Sequence, residues 1–420
     1  MRDAIVLAGG LGTRLANTVT DRQKVMAPVG GCPFLTYVLR DLEEKGFSKV
    51  ILAVSYKYEQ IKEYFGNSFN SLEICYSVEN EPLGTGGAIK KALSCSNRDE
   101  ITVINGDTFF DVDFSELYDC FTENNADIVL AAKKMPDCTR HSTLNISDSG
   151  KILEFAEKKP QKEGYINGGV YVIRRAVFDK IQEPRFSFEK EILEKTKKGL
   201  YAVKCDGYFI DMGVPEAYFR ANTEIPLHFG QKSFRAAFLD RDGVICKETH
   251  HLYKPEDFTF IDGAPEAIEQ LREAGYLIFV ITNQAGVAKG LYTEKDVEIL
   301  HKYMLSLLEG ITHIDGIYYC PYHEEATVEA YRIKSPDRKP DDGMIQKAKE
   351  DFRKKGIDII LSDSILVGDK LSDIETGKKA GIGKTVLVRS GHKIDESTTL
   401  PDIITDSIKT LTEDFKEILV

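Results

Sequence analysis

Short apolar runs that end in glycine, asparagine or aspartate alternate with amphipathic stretches along this chain, and the alternation occurs twice. In the first half, Ala4–Leu7 and Ile101–Ile104 are such runs, and Phe34–Lys45 between them has helical spacing of its apolar residues. Short, continuous apolar runs are typical of buried parallel strands. Strand–helix alternation therefore predicts a mostly parallel sheet with helices on both faces, and ligands are expected at the carboxyl ends of its strands.

The same alternation restarts after about residue 226. The later apolar runs are Ala236–Leu239, Tyr276–Ile281 and Ile365–Val367. A chain of 420 residues is long enough for two domains of ordinary size. We therefore predict an α/β protein with a mixed, Rossmann-like first domain over residues 1–226, a linker over 227–234 and a second domain with a parallel Rossmann-like sheet over 235–420.

The net charge and the cysteine content limit the kinds of molecule that this protein is expected to bind. The formal net charge of −12 disfavours binding to nucleic acid and to anionic membrane surfaces. The eight cysteines are dispersed without a C-x-x-C pair, which is typical of a cytoplasmic protein with reduced thiols. We expect small-molecule substrates, no nucleic acid partner and no membrane partner. The oligomeric state, including a homo-oligomer, stays open.

The first domain carries a glycine-rich turn after its first strand, in Leu7–Arg14. Glycines allow the backbone to approach phosphate groups closely, and Arg14 adds a cation. Lys24 follows at a spacing that suits a second phosphate contact, and Asp107 lies at a strand end, where a metal-binding carboxylate is expected. A glycine turn alone is a weak signal, because structural turns of this kind are common. The other motifs make it specific.

These motifs resemble the nucleoside-diphosphate-sugar pyrophosphorylase family over about residues 1–225. The stretches that carry the resemblance are LAGGxGTRL, K-x-M-x-P-V, PLGTGGA, N-G-D, E-K, N-G-G-V-Y and D-x-G. One departure is Gln23, where the family usually has proline. The resemblance implies a GT-A-like domain in which a sugar phosphate oxygen attacks the α-phosphorus of a nucleoside triphosphate.

The resemblance also implies roles for individual residues. Arg14 and Lys24 would be catalytic cations, and Asp107 and Asp211 would hold Mg²⁺. The implied sugar-phosphate-binding residues are Glu157, Lys158, Asn167 and Gly169. The implied nucleotide-binding residues are Leu7, Ala8, Gly9, Gly10, Gly12, Thr13, Arg14, Lys24, Gly84, Thr85, Gly86 and Asp107.

In the second domain, two aspartates two residues apart follow an apolar strand. A carboxylate at Asp240 can attack phosphorus, while Asp242 exchanges a proton with the leaving oxygen. Thr282, Lys339 and Asp369 follow later in the chain. They would supply a hydroxyl, a cation and a metal ligand. A lone D-x-D is weak, because acidic turns are frequent, but the ordered set is specific.

That set resembles the haloacid dehalogenase superfamily over about residues 235–395. The stretches that carry the resemblance are FLDRDG, FIDG, TNQ-x-G, DGIYYCPYH, RKP and VGDKLSD. The resemblance implies Asp240 as nucleophile, Asp242 as acid and base, and Thr282 with Lys339 on the phosphoryl group. Asn283 and Arg338 would contact substrate. Asp240, Asp369 and the main-chain carbonyl of Asp242 would hold Mg²⁺.

Many members of this family carry a structural zinc, held by C-x-H and a later C-x-C. Here Cys320 and His323 are one residue further apart, and Ser335-Pro336-Asp337 stands where C-x-C would lie. Two ligands cannot close a tetrahedral zinc site. We therefore expect Mg²⁺ in both domains and no zinc.

Within both families the closer similarity is to enzymes of heptose phosphates. It implies removal of the 7-phosphate of D-glycero-D-manno-heptose 1,7-bisphosphate, followed by guanylyl transfer from GTP to the heptose 1-phosphate. One alternative is a hexose 1-phosphate uridylyltransferase fused to a phosphatase for another ester, such as histidinol phosphate. The other is a non-catalytic regulatory protein, which the retained Asp107, Asp211, Asp240, Asp242 and Asp369 disfavour.

Overall fold

The computed structural model describes residues 2–10, 22–55, 57–139, 142–156, 163–196 and 198–414. The chain divides into two compact units. The first consists of Met1–Ala27 and Pro33–Tyr218, and the second of Pro28–Cys32 and Phe219–Val420. The predicted site residues Gly12, Thr13, Arg14, Glu157 and Lys158 lie outside the described residues.

The strands are given in chain order. They are β1 (Arg2–Leu7), β2 (Pro28–Val29), β3 (Cys32–Pro33), β4 (Phe47–Val54), β5 (Ser68–Phe69), β6 (Leu72–Val78), β7 (Glu100–Asn105), β8 (Thr108–Phe110), β9 (Ile128–Met135), β10 (Thr143–Ile146), β11 (Ile152–Ala156), β12 (Gly164–Arg174), β13 (Leu200–Cys205), β14 (Phe209–Asp211), β15 (Ser233–Leu239), β16 (Tyr276–Asn283), β17 (Gly316–Cys320), β18 (Asp358–Ile359), β19 (Ile365–Gly368), β20 (Lys384–Val388) and β21 (Ile403–Thr405).

The α-helices are given in the same way. They are α1 (Phe34–Glu44), α2 (Tyr58–Phe65), α3 (Gly84–Ala92), α4 (Phe114–Glu123), α5 (Pro215–His228), α6 (Ala264–Glu273), α7 (Ala285–Ala288), α8 (Glu294–Leu308), α9 (Gly343–Arg353), α10 (Leu371–Ala380) and α11 (Ile408–Asp414). Among the described residues, no helix combines the length and the apolar character that a bilayer crossing requires.

The first unit is built on a mixed sheet of ten strands, as far as the chain is described. Its order is β11-β10-β12-β7-β1-β4-β6-β5, and β9 pairs with both β12 and β13. Strand β1 runs parallel to β4 and β7, whereas β12 runs antiparallel to β7. Because β1 and β7 are parallel, Leu7 pairs with Asn105, and the two strands end side by side. The motifs that follow these strands therefore meet at one edge of the sheet.

The second unit has a parallel sheet with the order β17-β16-β15-β19-β20-β21, and β18 pairs with β15. Alternate residues of β15 point to opposite faces, as strand geometry requires. Ala236 and Phe238 belong to one buried apolar cluster, and Ala237 and Leu239 belong to another. Both faces of the sheet are thus covered, which explains the continuous apolar runs in the sequence. The predicted α/β fold class is confirmed for both domains.

The boundary between the domains stays a prediction. Helix α5 continues through Pro226 to His228, and β15 begins at Ser233. Only a short segment of the predicted 227–234 linker therefore lies outside regular structure. The division into compact units falls within α5, between Tyr218 and Phe219.

Phe238 provides a test of the two-unit organisation. Its side chain is fully buried and stacks on Phe279 with ring centroids 5.3 Å apart. We expect Phe238→Ala to lower the free energy of unfolding of the second unit by about 3–5 kcal/mol, because it leaves a cavity. Denaturant unfolding followed by amide hydrogen exchange should show this loss in the second unit alone. Equal loss of protection in the first unit would contradict the division, and Phe238→Leu should have a smaller effect.

Candidate active sites

A cavity of about 860 Å³ opens at the carboxyl ends of β1, β4 and β7 in the first unit. The described residues that line it are Leu7, Gly9, Gly10, Lys24, Val25, Ala53, Ser55, Lys57, Tyr58, Glu59, Val78, Glu79, Asn80, Glu81, Pro82, Gly84, Thr85, Ala88, Asn105, Gly106, Asp107 and Glu189. The sheet thus brings the glycine turn, Lys24 and the N-G-D motif to one wall. A cavity of this size can hold a nucleotide together with a sugar phosphate.

The glycine turn presents backbone rather than side chains to the cavity. The hydroxyl of Ser55 donates to the carbonyl of Gly9 at 2.8 Å, which fixes the turn. A side chain at Gly10 would meet no atom within 4 Å, so this position faces open space. Ala8 is buried, and its N–H donates to the carbonyl of Ala53. Ala8 therefore supports the turn from behind.

Asp107 and Asp211, the predicted metal ligands of the first domain, lie on adjacent backbone segments. Asp107 follows β7, and its Oδ2 lies 2.7 Å from Nζ of Lys24. Strand β14 pairs antiparallel with β8, so Asp211 faces Thr108, the neighbour of Asp107. The N–H of Met212 also donates to the carbonyl of Asp107 at 3.0 Å. The main chains of the two residues are therefore neighbours, and their role as oxygen ligands of Mg²⁺ stays a prediction.

The PLGTGGA motif has a structural as well as a ligand-facing side. A side chain at Gly86 would lie 2.2 Å from the ring of Phe186, so this glycine makes room for the aromatic residue. Gly84 has a φ of +72°, which favours glycine. Gly84 and Thr85 line the cavity, whereas Gly86 does not. The packing of Phe186 therefore explains why position 86 is glycine, and its predicted contact with the nucleotide stays a prediction.

Two of the predicted sugar-phosphate residues of the first domain, Asn167 and Gly169, lie on β12. The amide of Asn167 donates to the hydroxyl of Tyr171 at 2.8 Å and accepts from the N–H of Gly169 at 3.0 Å. Gly169 has a φ of +75°, and a side chain there would come within 2.8 Å of Asn105. The close approach of β12 to Asn105, which lines the cavity, thus requires glycine.

In the second unit, three predicted residues converge because their strands are neighbours. Strand β15 lies between β16 and β19, so Asp240, Thr282 and Asp369 meet at the carboxyl edge of the sheet. The N–H of Asp240 donates to the carbonyl of Val367 at 2.9 Å. This bond continues the sheet pairing one residue past β15 and fixes the backbone of the predicted nucleophile.

Lys339 is the buried cation of this site. Its Nζ lies 2.9 Å from Oδ2 of Asp240 and 2.6 Å from Oδ1 of Asp373. Asp373 is not among the residues predicted from the sequence. Its spacing of four residues from Asp369 was the available signal, because it places Asp373 in the first turn of α10, where side chains point toward the amino-terminal end of the helix. There its Oδ2 accepts from the N–H of Lys370 at 3.0 Å.

Asp240, Asp369 and Asp373 form a cluster whose ligand atoms lie within 4.8 Å of one another. Burial raises the pKa of Asp240 to about 7, and Lys339 opposes this rise. Burial also raises the pKa of Asp369. Oδ1 of Asp369 is buried and has no hydrogen-bond partner among the described residues. An unpartnered oxygen within a carboxylate cluster fits Mg²⁺, which would offset the cost of burying these charges.

Two glycines keep the space around Asp369 open. A side chain at Gly243 would lie 2.3 Å from Oδ2 of Asp369, and one at Gly391 would lie 2.1 Å from the same atom. Nδ1 of His392 lies 2.6 Å from that oxygen. Oδ2 is therefore held by His392, and Oδ1 is the oxygen that remains for a ligand.

Asp242 is held by a buried network that sequence analysis missed. The guanidinium of Arg241 bonds both carboxylate oxygens of Asp242, at 3.0 and 2.9 Å. Gln284 donates to Asp242 at 3.2 Å and to the hydroxyl of Thr282 at 2.9 Å. Burial would raise the pKa of Asp242, but the charge and hydrogen bonds of Arg241 outweigh it, and the pKa is lowered.

The far side of Arg241 contacts a neutral histidine. Burial and the charge of Arg241 lower the pKa of His301 to about 3. Its Nε2, which lies 3.2 Å from the guanidinium, therefore accepts a hydrogen bond. The only sequence signal for Arg241 was its place between the two aspartates, and its fully buried state depends on the tertiary fold.

The other predicted substrate contacts have partners within the protein. The amide of Asn283 exchanges two hydrogen bonds with the backbone of Lys339, both at 3.1 Å, so it positions that lysine. Arg338 is half-buried, and its guanidinium donates to the carbonyl of Tyr322 at 3.3 Å. Their contacts with substrate stay predictions.

The segment that would hold zinc in relatives has other interactions here. Cys320 is buried, and its thiol lies 3.8 Å from the carbonyl of Tyr322. Nδ1 of His323 accepts from the N–H of Glu325 at 3.0 Å. Asp337 is buried and forms an ion pair with Lys347. The absence of zinc stays a prediction.

Fold and site together define two enzyme classes in one chain: a nucleotide-binding α/β domain with paired carboxylates and a phosphatase-type domain with an aspartate, a lysine and a carboxylate cluster. Residues 3–226 match the family described as Nucleotidyl transferase, and residues 235–396 match the family described as Polynucleotide kinase 3 phosphatase. The first match spans more than half of the chain. The protein therefore belongs to the nucleotidyl transferase family, with a phosphatase domain joined to it.

Relatives are known for each half. The chain is 48% identical over 219 residues to the D-glycero-alpha-D-manno-heptose 1-phosphate guanylyltransferase of Campylobacter jejuni, covering 51% of this chain and 96% of that one. It is 40% identical over 183 residues to the D-glycero-D-manno-heptose-1,7-bisphosphate 7-phosphatase of Chlorobaculum tepidum, covering 42% of this chain and 92% of that one. The crystal structure of HddC from Yersinia pseudotuberculosis complexed with GMP-PN is 35% identical, covers 53% of this chain and 99% of that one, and has a TM-score of 0.49.

The two family matches and the two curated relatives confirm the resemblance of each half to its family. The protein is a bifunctional nucleotidyltransferase and phosphatase.

Asp373 offers a test of the carboxylate cluster. Asp373→Asn keeps the hydrogen bond to the N–H of Lys370 but removes the charge beside Lys339 and the proposed cation. We expect the Mg²⁺ concentration for half-maximal phosphatase activity to rise by about tenfold or more. A Mg²⁺ titration of phosphate release measures this effect. Glu375→Gln, an exposed change on the same helix, is the control, and an unchanged titration in Asp373→Asn would contradict the assignment.

Proposed function

We propose that this protein catalyses two consecutive steps of nucleotide-activated heptose synthesis. The phosphatase domain removes the 7-phosphate of D-glycero-D-manno-heptose 1,7-bisphosphate. The other domain transfers GMP from GTP to D-glycero-α-D-manno-heptose 1-phosphate, giving GDP-heptose and pyrophosphate. The observation that carries this proposal is the pairing of relatives: each half is similar over nearly the full length of a relative, and the two relatives' named substrates follow one another in this order.

The phosphatase reaction assigns separate tasks to the two aspartates. A carboxylate oxygen of Asp240 attacks phosphorus, the bond to the sugar oxygen breaks, and Asp242 gives that oxygen a proton. Water then attacks the aspartyl-phosphate, and Asp242 takes its proton. Phosphate and the free Asp240 carboxylate are the products. Lys339, 2.9 Å from Asp240, contributes positive charge beside the transferring group.

The nucleotidyltransferase reaction needs no protein nucleophile. A phosphate oxygen of the sugar 1-phosphate attacks the α-phosphorus of GTP, and pyrophosphate leaves. Two anions approach each other, so cations must stabilise the transition state. Lys24 lies in the cavity and supplies one of them. Glycine backbone at Gly9 and Gly10 allows close approach of the triphosphate.

Mg²⁺ is the proposed cofactor of both domains. Asp107 and Asp211 would hold it in the first, and Asp240, Asp369 and the main-chain carbonyl of Asp242 in the second, with Asp373 beside them. When bound, the ion neutralises phosphate charge. We also propose a cytoplasmic location, where nucleotide substrates and reduced cysteines occur.

Product analysis tests the proposed substrates directly. Heptose 1,7-bisphosphate is incubated with the protein, Mg²⁺ and each of the four nucleoside triphosphates in turn. We expect heptose 1-phosphate in every reaction and a nucleotide sugar only with GTP. A nucleotide sugar formed preferentially with UTP, or no release of phosphate from the bisphosphate, would contradict the proposal.

Substitution of the first pair of carboxylates should separate the two activities. Asp107→Asn or Asp211→Asn should reduce nucleotidyl transfer by several orders of magnitude, because each removes a metal ligand from a reaction between anions. Phosphate release from the bisphosphate should be unchanged. Separate assays of the two reactions on each variant provide the measurement. Near-normal transfer in the double variant would rule out the metal assignment.

Asp240→Asn should have the opposite effect. It keeps the size of the side chain but removes the nucleophilic charge, so phosphate release should fall by several orders of magnitude. Transfer to heptose 1-phosphate supplied directly should be unaffected. Mass spectrometry of rapidly quenched wild-type protein should locate the phosphoryl adduct on Asp240. An adduct on another residue, or Mg²⁺-dependent release that persists in the variant, would overturn the mechanism.

A further inference from the structure

The nucleotide cavity contains more negative than positive side chains among its described lining residues. Five carboxylates, those of Glu59, Glu79, Glu81, Asp107 and Glu189, line it together with two lysines, Lys24 and Lys57. A triphosphate and a sugar phosphate are anions, so carboxylates near them must face groups that donate hydrogen bonds, or a metal ion. Asp107 is assigned to the metal ion. The other carboxylates require a different explanation.

Glu189 is the carboxylate whose position is most firmly fixed. Its Oε2 accepts from the hydroxyl of Thr85 at 2.7 Å and from the hydroxyl of Ser187 at 3.0 Å. No hydrogen bond or ion pair joins Oε1 to a described residue. The residue begins a short π-helix, Glu189–Leu193, and irregular turns of this kind occur frequently at functional sites. One oxygen is thus anchored, and the other stays available in a cavity-lining side chain.

The contacts of Glu189 and of the residue before it show which predicted substrate-binding residues lie near its carboxylate. Phe188, the preceding residue, packs edge-on against Tyr171 with ring centroids 5.2 Å apart. The hydroxyl of Tyr171 accepts from Asn167, the predicted sugar-phosphate residue on β12. Burial raises the pKa of Tyr171, and the negative charge of Glu189 adds to this rise, so the Glu189 carboxylate lies near that hydroxyl. Glu189 thus lies between Thr85, a predicted nucleotide-binding residue, and the predicted sugar-phosphate residue Asn167.

We propose that Glu189 is a specificity-determining residue that binds a hydroxyl group of the acceptor sugar through Oε1. A fixed carboxylate oxygen accepts a hydrogen bond from a neutral hydroxyl without drawing in another anion, and such charge-assisted bonds are among the stronger ones. A site built for a hydroxyl discriminates strongly against an analogue that lacks it. This inference rests on the proposed nucleotidyltransferase function and extends it to the recognition of the sugar.

The test compares wild-type protein with Glu189→Gln, which keeps the side-chain length and removes the charge. With heptose 1-phosphate, we expect kcat/KM to fall about 10- to 100-fold, the effect of losing a charge-assisted hydrogen bond. The KM for GTP should not change. Glu191→Gln is the matched control, because Glu191 lies in the same π-helix but is exposed and paired with Lys195. It should behave as wild type.

Deoxygenated substrates identify the partner. Monodeoxy derivatives of the sugar 1-phosphate are assayed with both proteins, and one of them should be a poor substrate for wild type but lose nothing further in Glu189→Gln. If every derivative loses the same factor in both proteins, the carboxylate binds no sugar hydroxyl and the inference is overturned. If the loss instead appears with 2′-deoxy-GTP, the hydroxyl belongs to the ribose, which also contradicts the assignment to the sugar.

A failure of the inference on Glu189 can be told apart from a failure of the proposed function. Wild-type protein that does not accept heptose 1-phosphate would contradict the proposed substrate. The same comparison is then made with the sugar 1-phosphate that the protein does accept, and it decides the role of Glu189 independently.

Discussion

In each domain a largely buried lysine forms an ion pair with a carboxylate that follows a strand end. Lys24 lies 2.7 Å from Asp107 in the first, and Lys339 lies between Asp240 and Asp373 in the second. An uncompensated carboxylate at such a position would be costly to bury or would lose its charge. Lys339 opposes the rise that burial causes in the pKa of Asp240, and each lysine offers a positive charge at the site proposed to bind phosphate groups. Fold stability and phosphate chemistry thus depend on the same ion pairs.

The two ion pairs differ in their exposure to solvent. The side chain of Asp107 is 44% exposed within a large open cavity, whereas that of Asp240 is 8% exposed. This difference fits the ligands proposed for each domain. The first must admit a nucleoside triphosphate and a sugar phosphate together, while the second needs to enclose only the transferring phosphoryl group. Enclosure strengthens electrostatic interactions, because it removes the screening effect of water.

The sequence predicted those features that follow from strand ends. In the second domain, Asp240 and Asp369 follow the ends of neighbouring parallel strands, so their convergence follows from the strand pairing. In the first domain, Asp107 likewise follows a strand end. The sequence did not predict the residues whose role depends on where their side chains point in the folded protein. Asp373 could be predicted only from the geometry of a helical turn. Gln284 and Glu189 could be predicted only from contacts between segments that are far apart in sequence. Gly86 was predicted from its motif as a nucleotide contact; the structure shows that it also makes room for Phe186, and the contact stays a prediction.

The network around Asp242 bears on the order of proton transfers. In the proposed mechanism, Asp242 must hold a proton when the sugar oxygen leaves and must be ionised when water attacks. Arg241 bonds both oxygens of Asp242 and lowers its pKa. In this structure the carboxylate is therefore arranged to accept a proton, as the base must. To act as the acid, the carboxyl group must give up at least one bond to Arg241, because a protonated oxygen no longer accepts from the guanidinium as strongly. Gln284 bonds both Asp242 and Thr282, and it therefore connects this change to the hydroxyl predicted to contact the phosphoryl group.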